Sequence, residues 1–237
     1  VATNRLKDAL NNNGIEANML VRDKLSDDTT VFTIKNGWRT QWNKLWERWC
    51  IFWHLHFSKR NLFAIDIANA GTDITQLQAF KDADVVHLAW INQGMLSLKG
   101  IEKILKTGKP LVWTMHDIWP ATAVCHITLD CRQFETQCKD CRLLPSGIGR
   151  NLARRTWKRK EAIERRSHII YITCSKWLQG EAKRSTLIGQ NPIECIPNPI
   201  DTSVFCKADK AEARRKLGLP TDKRLILFAS QRVTNQN

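Results

Sequence analysis

Short apolar runs alternate with amphipathic stretches along most of this chain. The runs that predict buried strands occupy residues 84–90, 110–115, 168–173 and 193–196. The apolar spacing that predicts helices between them covers residues 96–107, 150–166 and 176–184. Strands and helices that alternate in this order are typical of a doubly wound parallel sheet, so we expect an α/β fold.

Two of the predicted strands end at residues that could carry chemistry. The strand 110–115 stops at His116 and Asp117, and the strand 84–90 opens into the turn 91–94. In an open α/β sheet, ligands bind beyond the carboxyl ends of the parallel strands. A histidine at a strand end is more often structural, but the adjacent carboxylate and the neighbouring turn favour a functional site. We therefore expect His116 and Asp117 to line a cleft.

A tryptophan-rich segment, residues 36–60, interrupts the α/β pattern. Its five tryptophans have spacings of 4, 4, 3 and 4 and would share one arc of about 80° on a helix. They are Trp38, Trp42, Trp46, Trp49 and Trp53. Such a face, flanked by Arg39, Lys59 and Arg60, suits a bilayer interface, and it equally suits packing against the core or a partner protein.

The chain has 237 residues, enough for one large domain or for one domain and the beginning of another. The first predicted helix, 3–10, ends at Gly14 and has no strand before it. The last predicted strand, 224–230, is followed by seven residues. We therefore expect the chain to be cut at both ends.

The formal net charge of +14 favours polyanionic partners, namely nucleic acid, an anionic membrane surface or phosphate-bearing substrates. Basic residues are densest in the predicted helix 150–166, where a solvated face is the more common explanation. No apolar run reaches eighteen residues, and the start does not resemble a signal peptide. A cytoplasmic location is the default expectation.

Four of the eight cysteines lie in one polar loop with the spacing C-x5-C-x6-C-x2-C. They are Cys125, Cys131, Cys138 and Cys141. Four thiolates, or three with His126, would suit a closed tetrahedral zinc site, which would be structural rather than catalytic. Free thiols or a redox pair remain alternatives. Together with the charge, a zinc site would also fit a basic nucleic-acid-binding module, although such a module would not explain the strand-end histidine.

The patterns G-x-S-x-G, P-loop and H-E-x-x-H are absent, as is a simple dinucleotide fingerprint. This argues against common hydrolases, nucleoside triphosphatases and zinc proteases.

Four segments in order carry a resemblance to a known family. They read H-L-A-W-I-N-Q-G-M-L-S-L at 87–98, V-W-T-M-H-D-I-W-P-A-T at 112–122, the cysteine pattern at 125–141, and I-P-N-P-I-D-T-S-V-F at 196–205. This series resembles the retaining family 4 glycosyltransferases of bacterial polysaccharide synthesis, particularly the branch with a cysteine-rich loop after the His-Asp pair. The likeness covers nearly the whole chain.

The resemblance implies a GT-B enzyme with two Rossmann-like domains that face a cleft. Residues 1–200 would form the acceptor-side domain, and 201–237 the linker and the start of the domain that binds the nucleotide-diphosphate sugar. The glycine-rich loop after the family's first strand is missing here, and the donor-binding glutamates would lie beyond Asn237. This piece alone would then be inactive.

The resemblance also implies roles for individual residues. His116 and Asp117 would be catalytic, and Arg232 would contact the donor diphosphate without need of a catalytic metal. Relatives typically read H-L-H-W where this chain has Ala89 before Trp90. The turn that would bind the acceptor through Trp90, Asn92 and Gly94 therefore departs from the pattern. The implied acceptor is a lipid-linked or growing polysaccharide, reached at the inner face of the membrane.

Overall fold

The computed structural model describes residues 2–34, 37–145 and 148–227, and for residues 148–150 the backbone alone. The chain divides into two compact units between Pro199 and Ile200. Each unit is described by itself.

The first unit contains strands and helices, which alternate from residue 86 onward. Its helices are α1 (Ala2–Asn12), α2 (Gly37–His54), α3 (Gln78–Asp82), α4 (Leu98–Lys106), α5 (Ile148–Glu164) and α6 (Lys176–Arg184). Its strands are β1 (Met19–Val21), β2 (Val31–Thr33), β3 (Val86–Leu88), β4 (Leu111–Met115), β5 (Ile170–Thr173) and β6 (Ile193–Cys195). Within the described ranges, no helix is long and apolar enough to cross a membrane.

The larger sheet is parallel and has the order β3-β4-β5-β6. Its strands fall inside the four predicted runs, which confirms the α/β fold with a parallel sheet. Strands β1 and β2 form a separate parallel pair. Because all four strands of the larger sheet run the same way, the residues that follow them emerge at one edge.

The core packs tightly under the middle of this sheet. Trp113 of β4 stacks on Tyr171 of β5 with 6.0 Å between ring centroids. Trp119, just beyond β4, lies 6.1 Å from Trp113 and is 1% exposed. Burying an aromatic ring of this size contributes roughly 2–3 kcal/mol each. The segment that leaves β4 is therefore fixed by large buried rings on both sides of His116.

Serine caps and one glycine set the ends of α4 and α6. Ser175 Oγ accepts a hydrogen bond from Leu178 N at the start of α6. Ser97 Oγ does the same for Gly100 N at the start of α4. Gly108, with φ of +75°, ends α4 in the left-handed conformation that glycine adopts at low cost.

Helix α2 turns its tryptophan face away from the core. The indoles are between 52% and 66% exposed, whereas the opposite side buries Thr40, Glu47, Arg48 and Ile51. The prediction of a shared stripe is confirmed, and its core-facing interpretation is wrong. We call Trp38, Trp42, Trp46, Trp49 and Trp53 the tryptophan face.

The second unit contains α7 (Lys210–Lys216), which the sequence analysis did not predict. Asp209 caps it by accepting a hydrogen bond from Glu212 N at 2.7 Å. Residues 224–227, the first part of the strand expected at 224–230, have no regular secondary structure. The remainder of that stretch and Arg232 lie outside the described residues.

Candidate active site

His116 lies at the carboxyl edge of the sheet, immediately after β4. Its Nε2 is 3.1 Å from Oδ1 of Asn198, which follows β6. In the sequence, residues 196–205 served only the family resemblance, and the contact of Asn198 with His116 was not predicted. The signal was available, because the carboxyl ends of parallel strands meet at one edge and β6 ends two residues before Pro197.

A second histidine stands close to His116. His87 of β3 is 2.7 Å from Thr114 Oγ1 of β4, measured from Nε2. Desolvation lowers the pKa of His87, and the nearby imidazole of His116 lowers it further. The sheet edge therefore brings two imidazoles together, of which the sequence analysis singled out one.

Both carboxylate oxygens of Asp117 are already engaged within the protein. Oδ1 accepts a hydrogen bond from Trp119 N at 2.9 Å, and Oδ2 is 2.7 Å from Nδ1 of His126. The first bond closes a tight turn of the kind that aspartate side chains form with their own backbone. The structure thus places Asp117 beside His116, as predicted, but uses its carboxylate to hold the turn.

The contact with His126 continues into a buried charge network. His126 Nε2 is 2.6 Å from Asp66 Oδ2, and Asp66, 1% exposed, is bonded through its other oxygen to Arg48 of α2. Arg48 also donates to the carbonyl oxygen of Leu62 at 2.6 Å. Arg48, Asp66, His126 and Asp117 thus form one continuous chain of hydrogen-bonded side chains from α2 to the turn after β4.

The turn 91–94 is tied to the same helix by Glu47. The fully buried carboxylate accepts from Gly94 N at 3.0 Å through Oε2 and from Ala68 N at 2.6 Å through Oε1. Gly94 has φ of +78°, and a Cβ there would lie 2.5 Å from Lys44 N in α2. Only glycine fits this position. The close approach to α2 therefore explains why residue 94 is glycine, without any direct contact with a ligand.

The other two residues predicted in this turn differ in environment. Trp90 is 47% exposed, whereas Asn92 is 5% exposed. Asn92 Nδ2 has no hydrogen-bond partner. A buried amide donor without a partner costs about 1–3 kcal/mol.

Lys160 of α5 is buried, although the sequence predicted a solvated basic face for this helix. Its ammonium donates to the carbonyl oxygens of Trp119 at 2.6 Å and Thr122 at 2.9 Å, and lies 3.3 Å from the centroid of the Trp119 ring. Desolvation lowers the pKa of Lys160 to about 7. Its neighbours Lys158 and Arg159 are exposed, so the prediction is wrong for Lys160 alone among these three.

The four cysteines of the polar loop lie close enough to affect one another electrostatically. Burial raises the pKa of Cys125 to about 11 and of Cys138 to about 12, and it also raises that of Cys141; Cys131 raises all three further. All eight cysteines are free thiols. In the part of the chain that is described, no group of three or more His, Cys, Asp or Glu side chains could hold a metal. Neither the zinc site nor the nucleic-acid module gains support.

Comparison with known proteins gives one match. The family model described as Glycosyltransferase Family 4 matches residues 27–204, which include every site residue described above. No curated protein and no solved structure matches significantly. The match covers well over half of the chain and agrees with the parallel sheet and its strand-end histidine. The chain therefore belongs to this glycosyltransferase family, within the GT-B superfamily.

Proposed function

We propose that the protein transfers a sugar, with retention of configuration, from a nucleotide-diphosphate donor to a lipid-linked or growing polysaccharide acceptor. The supporting observation is His116, held at the open carboxyl edge of the sheet by Asn198 in a chain of the glycosyltransferase family. Retention and the polysaccharide acceptor come from the resemblance of the four sequence segments.

The contact with Asn198 defines what His116 can do. An amide oxygen only accepts hydrogen bonds, so Nε2 carries the proton and donates a hydrogen bond to Asn198 Oδ1. In the neutral ring, Nδ1 then carries a lone pair. That nitrogen can accept a hydrogen bond from a sugar hydroxyl, which would orient the substrate and take up a proton as the hydroxyl reacts.

The turn 91–94 would contribute to acceptor binding. The half-exposed indole of Trp90 supplies an apolar surface for a sugar ring, and the buried, unpartnered Nδ2 of Asn92 would donate to a sugar oxygen if the turn moves when the acceptor binds. Gly94 would act by permitting the close approach of the turn to α2. The donor's diphosphate leaves with growing negative charge, which the guanidinium of Arg232 would stabilise.

The tryptophan face would bring the enzyme to its acceptor. Indole rings favour the headgroup layer of a bilayer, and Arg39, Lys59 and Arg60 near this face are exposed and positively charged. We therefore place the protein in the cytoplasm, peripherally bound to the anionic inner face of the membrane.

The experiment that tests the transfer function replaces His116. We expect His116→Ala in the full-length protein to lower the rate of nucleoside diphosphate release at least tenfold, about 1.4 kcal/mol of transition-state stabilisation. The assay offers a panel of nucleotide sugars together with a membrane lipid extract as the acceptor. The matched control is His168→Ala, because His168 is exposed and precedes β5 at the opposite edge of the sheet. A near-normal rate for His116→Ala would remove this residue from the mechanism.

A further inference from the structure

His126 joins two segments that are far apart in the sequence. Its Nε2 is 2.6 Å from Asp66 Oδ2 and its Nδ1 is 2.7 Å from Asp117 Oδ2. Asp66 belongs to the segment that follows α2, and Asp117 to the turn that follows β4. The ring therefore spans from the interior of the protein to the turn that carries His116.

The inner end of this bridge is rigid. Asp66 is 1% exposed, and its backbone N donates to Val124 O at 2.8 Å. An isolated antiparallel bridge between Ile65 and Cys125 adjoins this bond. Arg48 neutralises the second oxygen of Asp66 and is itself bonded to backbone carbonyls. The buried carboxylate of Asp66 is costly to move, because movement away from Arg48 would leave its charge unpaired.

The outer end of the bridge decides where Asp117 points. With Oδ2 on His126 and Oδ1 on Trp119 N, the carboxylate has two fixed partners. Asp117 adjoins His116 directly, and neighbouring Cα atoms are 3.8 Å apart. Release of the Asp117 side chain would therefore loosen the backbone that aims the His116 ring at Asn198.

His126 itself has no nitrogen left for a substrate. Each ring nitrogen faces a carboxylate oxygen, and both bonds lie within 2.7 Å. A side chain with both polar atoms occupied in this way acts through its neighbours.

We propose that His126 is a positioning residue for His116: by bridging Asp66 and Asp117 it fixes the turn 116–119 and the orientation of the His116 ring. This inference rests on the proposed function where it calls His116 catalytic. The placement of the ring itself does not depend on which reaction the protein performs.

Spectroscopy tests the placement without any substrate. In ¹⁵N-histidine-labelled full-length protein at one neutral pH, we expect the ring of His116 to give the signals of a single Nε2–H form. In His126→Gln those signals should change to a mixture of the two tautomers while circular dichroism stays that of the folded protein. His168→Gln is the control and should leave His116 unchanged. If His116 gives the same spectrum in His126→Gln, the proposal is wrong.

A kinetic cycle separates positioning from general destabilisation. We expect His126→Gln to lower kcat about tenfold with donor KM within about twofold, and the double variant with His116→Ala to lose no more than His116→Ala alone. Losses that multiply in the double variant would contradict the proposal. Should His126→Gln fail to fold, Asp117→Asn keeps the side-chain shape, weakens the same bond and should alter the same His116 signals. If the wild-type protein releases no nucleoside diphosphate, the transfer function fails; if His116→Ala has normal activity, only the role of His116 in the mechanism fails. In both cases the spectra still decide the placement.

Discussion

Lys160 shows how strongly a single buried charge can depend on its surroundings. It lies on α5 at three residues from the buried Trp157 and seven from the buried Ala153, so its helical position belongs to the core side. There it holds Trp119 and Thr122 by their carbonyl oxygens. The loop that continues from His116 is thus held by an amino group that is buried away from water.

This burial predicts a pH dependence of folding stability. The pKa of Lys160 is about 7 in the folded protein and 10.5 for a free lysine side chain, so between these pH values the unfolded chain binds more protons. Stability should therefore rise with pH, by about 1–2 kcal/mol between pH 7 and 8.5. Urea unfolding at the two pH values measures it.

We expect Lys160→Met to remove most of this rise, while Lys158→Met, its exposed neighbour on the same helix, should keep it. The window stops at pH 8.5 because the buried thiols Cys125 and Cys138 have raised pKa values and act in the opposite direction at higher pH. An equal slope in wild type and Lys160→Met would show that Lys160 does not cause it.

At the scale of an element, α2 reverses the usual amphipathic arrangement. Its apolar aromatic stripe faces water, and its buried side carries Glu47 and Arg48. These two charges hold Gly94 and Asp66, so the helix is anchored by buried hydrogen bonds in addition to the core contacts of Ile51. A contiguous exposed apolar stripe of this kind usually marks a binding surface, whereas isolated exposed apolar residues do not.

The tryptophan face can be tested by its affinity for lipid. We expect the combined change of Trp42, Trp46 and Trp49 to alanine to reduce co-sedimentation with anionic vesicles at least tenfold, because interfacial indoles supply much of the binding energy. Trp177→Ala is the control, since Trp177 is 69% exposed and lies on α6. Unchanged sedimentation of the triple variant would rule out a membrane role for this face.

At the scale of the whole molecule, the net charge of +14 makes a separate contribution. Attraction of basic residues to an anionic surface is screened by salt, whereas burial of indoles is not. We expect vesicle binding of the wild-type protein to fall as salt rises from about 50 to about 500 mM, because the Debye length shortens over this range and screens the attraction. Binding that is independent of salt would assign the interaction to the tryptophan face alone.

The sequence predicted the sheet and the strand-end pair His116 and Asp117, because the spacing of apolar residues and the order of the strands can be read from neighbouring residues. It could not predict the bridge of His126 to Asp66, which joins residues 60 positions apart, or the bond of Glu47 to Gly94 across 47. Those contacts depend on how separate segments pack. The direction of the tryptophan face was open for the same reason, since periodicity defines a stripe but not what the stripe faces.

The anchoring of α2 by Glu47 and Arg48 has a consequence for the tryptophan fluorescence of the protein. A helix fixed through buried ionic groups cannot roll to hide its indoles, so half of the ten tryptophans in the chain stay hydrated in the unbound protein. Any surface that covers them would exclude that water and move their fluorescence toward the blue. The chain thus carries an intrinsic optical reporter of what lies against this helix, without a label.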